Sequence, residues 1–412
     1  MAVKKLPTDF LGANVGIDSS LFSAEMTGVG NYCFHLLKAI MNAQPGIEFV
    51  GFSNAWRPVT LQYLNEFEVA QGKHGLKGER SADLIKVERV GNYIRKYVSG
   101  FSVARGAYRQ VLKRRFQSIP PEHALRLFHA FKYIPMWDLD VPVLPVVYDL
   151  SFIRYPDTHP KDRLQSLESL PDVIGSSPII QTISQFTKKE IVETFGCSAE
   201  KIIVAPPAAS HMFRPLGQQR TDESLSQFGL SYQRYFLAVG TLEPRKNLRT
   251  LIAAYSRLSQ SNQSQFPLVI VGHKGWGNLD LPSETDRLVR DGHVRFLDSI
   301  SNLHLRSLYE GALALLFPSL YEGFGMPVVE AFACGTEVVH SSNSAMDEIT
   351  GVLAHRVIAE DVDGWTDVMR KLIADPSAVS LGQKERVDRS RAFSWKSSAE
   401  IVVEAYRYLG IP

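Results

Sequence analysis

The chain has 412 residues, 45% of them apolar and 21% charged, which is a globular profile long enough for two domains and without a long disordered tract. A formal net charge of +2 is too small to argue for nucleic acid as a partner, and Cys33, Cys197 and Cys334 are scattered thiols without metal-ligand spacing, which favours a cytoplasmic setting. Met1 to Phe10 is short and polar, so no signal peptide is expected, and no apolar stretch approaches the roughly 20 residues that span a bilayer. Strand-like runs alternate with helical ones throughout. In the first half they are Ala13 to Asp18, Glu48 to Ser53, Leu84 to Val90, Leu125 to Ala130, Val143 to Tyr148, Ile179 to Ser184 and Lys201 to Ala205. In the second half they are Tyr235 to Val239, Leu268 to Gly272, Val294 to Leu297, Ala312 to Pro318, Glu337 to His340 and His355 to Ile358. This alternation predicts an α/β protein with two doubly wound Rossmann-like domains facing across a cleft, the ligand lying at the carboxyl ends of the strands. The break is expected between Phe213-Arg214-Pro215 and Ser231, where the polar run Gly217 to Asp222 has no periodicity, dividing the chain at 1–215 and 216–395. A last amphipathic helix, Ser397 to Leu409, shows an apolar face at Ile401, Ala405 and Tyr408.

Four segments carry chemistry. Gly28-Val29-Gly30 is a fragment of a glycine-rich loop without the third glycine of a dinucleotide fingerprint. From Tyr93 to Phe116, seven cations are interleaved with aromatics and no carboxylate is present. That composition suits either a helix lying on anionic lipid or a basic solvated face. Tyr235 to Val239 is a β-rich run that stops at Gly240-Thr241, and Arg245 and Lys246 follow at the mouth of a helix. Cations there oppose the helix dipole, so their placement suggests a ligand of high negative charge such as a pyrophosphate. The apolar run ending at Pro318 leads into Tyr321-Glu322-Gly323-Phe324-Gly325-Met326-Pro327-Val328-Val329-Glu330. Its glycines open the backbone, Pro327 begins a helix, and two carboxylates eight positions apart can hold two hydroxyl-bearing parts of one ligand near unpaired N–H groups.

Together the last two segments resemble the retaining glycosyltransferases of family 4, which have the GT-B fold. The one looks like that family's Gly-Thr/Ser-x-x-x-Arg-Lys-Asn phosphate loop and the other like its Glu-x7-Glu signature. The likeness extends to Gly16-Ile17-Asp18 with Thr27 to Tyr32, to Thr182-Ile183-Ser184-Gln185-Phe186-Thr187, and to Phe393-Ser394-Trp395. It implies that Glu330 holds the ribose of a nucleotide, Glu322 hydroxyls of the donor sugar, and Arg245 and Lys246 the phosphates. Around these, Gly240, Thr241, Phe324, Gly325 and Met326 would line the donor site, and Gly28 and Gly30 would form a loop approaching the diphosphate or the acceptor. It further implies that residues 396–412 cross back onto the first domain. The sequence departs from the pattern at Tyr148-Asp149-Leu150, where the family usually has a histidine in place of the tyrosine. A phenol donates a hydrogen bond but is no cation near neutral pH, so only a positioning role carries over to Tyr148 and Asp149. Glu337, where proline is common, is expected to alter only a strand edge.

The resulting expectation is transfer of a hexose from a nucleotide diphosphate sugar to a saccharide or lipid-linked acceptor, with retention at the anomeric carbon. Arg245 and Lys246 would stabilise the leaving diphosphate, so no metal or other cofactor is expected. The pattern looks closest to users of GDP-mannose or a related GDP-sugar in surface polysaccharide assembly, working in the cytoplasm or peripherally on the membrane's inner face. A nucleotide-sugar 2-epimerase of the same architecture and a non-catalytic nucleotide-sugar-binding protein are the other classes open to this sequence.

Overall fold

The computed structural model describes residues 13–18, 28–52, 59–60, 124–135, 138–298, 300–342, 344–376 and 382–411, with position 21 and five positions between 113 and 118. The strand read at Leu84 to Val90 and nearly all of the basic segment Tyr93 to Phe116 lie outside the described residues. The first sheet contains β1 (Ala13–Asp18), β2 (Ile47–Phe52), β3 (Val59–Thr60), β4 (Leu125–Ala130), β5 (Val143–Val147), β6 (Ile180–Thr182) and β7 (Ile202–Val204), in the order β3-β2-β1-β4-β5-β6-β7. All its pairings are parallel except that of β2 with β3, a two-residue edge strand too short to show a period in the sequence. The second sheet, β10-β9-β8-β11-β12-β13, is wholly parallel and contains β8 (Phe236–Val239), β9 (Leu268–Val271), β10 (Val294–Leu297), β11 (Ala314–Phe317), β12 (Val338–Ser341) and β13 (His355–Val357). Its central strands Leu268–Val271 and Ala314–Phe317 are buried along their whole length, as strands covered on both faces must be, which is why they read as unbroken apolar runs.

The helices that place the site are α1 (Gly28–Ala43), α2 (Gln185–Phe195), α3 (Gln218–Leu225), α4 (Leu248–Ser256), α5 (Asn302–Gly311), α6 (Met326–Ala333), α7 (Met346–Thr350), α8 (Gln383–Ser390) and α9 (Trp395–Tyr408). In the second sheet the strand order reverses between β8 and β11, so the loops leaving these two neighbours diverge and open a crevice at their carboxyl ends. The phosphate-type loop follows β8 and the two-glutamate loop follows β11, which puts both motifs at that switch point.

Three expectations are corrected. The run Gly217 to Asp222, read as polar and without periodicity, opens the helix α3: Thr221 and Leu225 are buried against α5, and Glu310 accepts hydrogen bonds from the N–H groups of Leu216 (2.9 Å) and Gly217 (2.8 Å) at its start. One buried i,i+4 pair and a cap supplied 93 residues away along the chain leave little local signal. Helix α9 packs on α1 and β7, but through Ser398, Ala399, Val402, Val403, Ala405 and Tyr406, whereas Ile401 is 36% and Tyr408 71% exposed. Small residues admit close helix packing that apolarity alone does not mark. Glu337 is no exposed edge substitution, since it is buried and paired with Arg386 of α8 at 2.7 Å while Arg386 Nε donates to the Gly335 carbonyl.

Candidate active site

After β8 the chain passes through Gly240 and Thr241 into a 3₁₀ turn, Pro244–Lys246, and Asn247 in the left-handed conformation (φ 54°) begins α4. The Asn247 amide donates to the carbonyls of Pro318 (3.1 Å) and Ala359 (2.7 Å), and the Leu320 N–H donates to the Arg245 carbonyl. The two motif-bearing loops are therefore one hydrogen-bonded unit.

Charge is concentrated where they meet. Arg245 lies 3.1 Å and Lys246 2.5 Å from the two carboxylate oxygens of Glu322, which is only 7% exposed. Arg245 also pairs with Glu243 at 2.6 Å and donates to the Tyr321 carbonyl, and its Nε has no partner among the described residues. Burial works against charge on both sides, but the cations overcome it and hold the Glu322 carboxyl down at about 2, and Glu322, Asp149 and Glu243 raise Arg245 further above its ordinary range. Two cations balanced by Glu243 and Glu322 make a nearly neutral, pre-organised set. A set so nearly neutral draws a further anion only with help from backbone N–H groups, which the glycine loop and the α6 N-terminus can supply.

The first domain closes on this set. A Cβ on Gly323 would lie 2.0 Å from the Tyr148 carbonyl oxygen and 2.8 Å from Asp149 Cβ, so only glycine permits the contact. Thr187 Oγ1 donates to the carbonyls of Gly323 (3.3 Å) and Tyr148 (3.4 Å). The Leu150 N–H donates to the Tyr321 hydroxyl at 3.0 Å, and that hydroxyl donates to Glu190, itself paired with Arg154. From α7, Glu348 accepts the N–H groups of Gln185 and Phe186 at the start of α2. Asp149 accepts from Ser151 Oγ (2.7 Å), the Ser151 N–H (3.1 Å) and the Tyr133 hydroxyl (3.3 Å). The Tyr148 ring sits edge-on to Tyr32 and Tyr133, and its buried hydroxyl has no partner among the described residues.

Thus Arg245, Lys246, Glu322, Gly240 and Thr241 are brought together, with Asp149 facing them. Glu330 stands apart on α6, where the Tyr309 hydroxyl donates to it at 2.9 Å and burial lifts its carboxyl to about 7. Phe324 is buried edge-on against Phe393, Gly325 (φ 112°) caps α6, and Met326 is half-buried in its first turn. Gly28 and Gly30 do not form a loop: they are the first residues of α1, since Tyr32, Cys33 and Leu36 of the same helix pack into the core and carry the helix back through them. Sequence reading missed Glu190 and Tyr309, whose parts depend on partners distant along the chain, and gave no role to Glu243 and Tyr321, which lay inside the two marked motifs.

Residues 222–389 match the model of the family described as glycosyl transferases group 1. The chain carries a glycosyl transferases group 1 domain. Over 385 residues it is 28% identical to the O-antigen chain mannosyltransferase B of Escherichia coli, spanning 93% of this chain and 97% of that protein. Among solved structures it resembles the sucrose-phosphate synthase of Thermosynechococcus elongatus, with a TM-score of 0.67 at 18% identity over 96% of this chain and 99% of that one. It also resembles Anabaena HepE in complex with UDP-glucose, with a TM-score of 0.65 at 14% identity over 96% and 99% of the two chains. The two-sheet architecture is the GT-B fold. Among the described residues no helix is long and apolar enough to cross a membrane.

Proposed function

We propose that this glycosyltransferase moves mannose, with retention, from a GDP-sugar to a saccharide acceptor, free or lipid-linked, in surface polysaccharide synthesis. The observation that carries the reading is the Arg245–Lys246–Glu322 set at the switch point, pressed through Gly323 onto Asp149 of the facing domain. The near full-length likeness to an O-antigen mannosyltransferase supports the choice of sugar, and the UDP-glucose-bound neighbour supports a nucleotide sugar as donor. Residues 216–395 would bind the donor and residues 1–215 the acceptor, with 396–412 packing back on the latter. Glu330 would accept from the ribose, Glu322 from a sugar hydroxyl while orienting both cations, and Arg245 and Lys246 would stabilise charge building on the diphosphate as the glycosidic bond breaks. The acceptor hydroxyl then attacks from the face that the diphosphate leaves, its proton passing to a phosphate oxygen.

The test is a panel of nucleotide sugars with and without mannobiose, following free nucleoside diphosphate and elongated product. GDP-mannose with acceptor is expected to give both, with an α linkage, and chelation of divalent ions is expected to leave the rate within about twofold, because the protein's own cations face the leaving group. Binding without turnover for every donor sinks the reading. So does diphosphate release that ignores the acceptor, and loss of activity in chelator restored by manganese refutes the metal-free leaving-group role.

A further inference from the structure

A second cluster borders the same cleft. His159 follows the 3₁₀ turn Pro156–Thr158 of the first domain, and both its ring nitrogens are shut from solvent without a hydrogen-bond partner among the described residues. Its ring lies 6.2 Å from that of Trp276 at an interplanar angle of 32°. Trp276 belongs to the facing domain, in the loop after β9, and its indole N–H donates to the Thr158 carbonyl at 2.7 Å. That loop is pressed onto the phosphate-type loop: a Cβ on Gly275 would lie 2.6 Å from Thr241 Cγ2, and one on Gly277 2.8 Å from Pro244 Cγ. The indole is thus held on both sides. The loop that carries Trp276 thus lies against the one that carries Arg245, and its bond to Thr158 places the imidazole beside the site already described. Arg163 stacks over Tyr133 at 5.9 Å with its Nε unpartnered, and Tyr133 in turn bonds Asp149.

A neutral imidazole has one donor and one acceptor, and leaving both buried and unpaired is costly, so such a group in a cleft marks a place where a ligand completes the bonding. Burial, with Arg163 adding to it, lowers the His159 pKa and keeps the ring neutral near pH 7. A sugar hydroxyl supplies both an acceptor and a donor, and an indole face suits the C–H side of a pyranose. We propose that His159, backed by Trp276, binds a hydroxyl of the carbohydrate at the transfer point. This rests on the glycosyltransferase reading above.

The test compares the full-length wild type with His159→Phe, His159→Gln and Trp276→Phe, measuring initial rates with GDP-mannose and mannobiose and, separately, GDP affinity by calorimetry. His159→Phe keeps a ring against Trp276 but no nitrogen, and should lose about ten- to a hundredfold in kcat/KM, while His159→Gln recovers part of it. GDP affinity should stay within about twofold in all three, since GDP carries no transferred sugar. A rise in KM for GDP-mannose assigns the hydroxyl to the donor and a rise for mannobiose assigns it to the acceptor. Unchanged kinetics in His159→Phe, or GDP binding weakened as much as transfer, overturns the proposal. A wild type that transfers no sugar overturns the glycosyltransferase reading and this inference with it.

Discussion

Glu322 and Glu330 are the same residue type eight positions apart, yet their surroundings drive them in opposite directions. Beside Arg245 and Lys246 the first stays ionised down to about pH 2, whereas desolvation lifts the second to about 7. If Glu330 accepts from ribose hydroxyls, the ligand prefers its ionised form, so GDP affinity should fall as pH drops from 8 to 6. Glu330→Gln should lose that dependence, leaving only the slope of the phosphate itself. Calorimetric titration at both pH values checks this, and parallel slopes in the two proteins would remove the ribose role. Glu330→Ala is expected to weaken GDP by about ten- to a hundredfold, the worth of a charge-assisted hydrogen bond, and Glu322→Ala to spare GDP binding while losing turnover. Wild-type rates in both folded variants would refute the assignment.

At the scale of elements, the β11–α6 loop joins the two domains, because Gly323 is where the two sheets' loops touch. Gly323→Ala puts a carbon 2.0 Å from the Tyr148 carbonyl oxygen, and neither partner is a flexible side chain that can swing away. The domains must therefore part or the loop must shift, breaking the Thr187 bonds and carrying Glu322 away from Asp149. The expected outcome is a fall in kcat of at least about a hundredfold, as misplacement of reacting groups by about an ångström produces, with a melting temperature lowered by only a few degrees. A variant with wild-type kcat would show that closure through this contact is not needed for transfer.

Across the whole molecule, α9 ties the end of the chain back to the first sheet through a buried pair, His129 Nδ1 and the Tyr406 hydroxyl, 2.7 Å apart. Burial holds His129 neutral, lowering its pKa to about 3. A histidine whose folded pKa lies below its unfolded value near 6.5 binds more protons when unfolded, so its contribution is complete above pH 6.5 and is lost as pH falls toward 3. The loss should reach about 2 kcal/mol by pH 5, read as a drop in urea midpoint that is smaller in His129→Gln. An acid shift identical in the variant would place the sensitivity elsewhere.

The alternation of apolar runs determined the two sheets, since a strand buried on both faces must be apolar throughout; Leu268–Val271 and Ala314–Phe317, buried along their whole length, fall within the runs read for them. Glycines, the Arg245-Lys246 pair and the two glutamates were legible as well, because backbone opening and paired charge are properties of a few adjacent residues. The phase of α9, the helix at Gln218–Leu225 and the ion pair of Glu337 were not, because each depends on a surface formed by residues far along the chain. Nor could spacing show that Tyr148 turns into an aromatic cluster, or that His159 and Trp276, 117 positions apart, meet between the domains. Local chemistry can be read from order along the chain. Which polar atoms are left without a partner among the described residues is decided only when the two sheets are brought face to face.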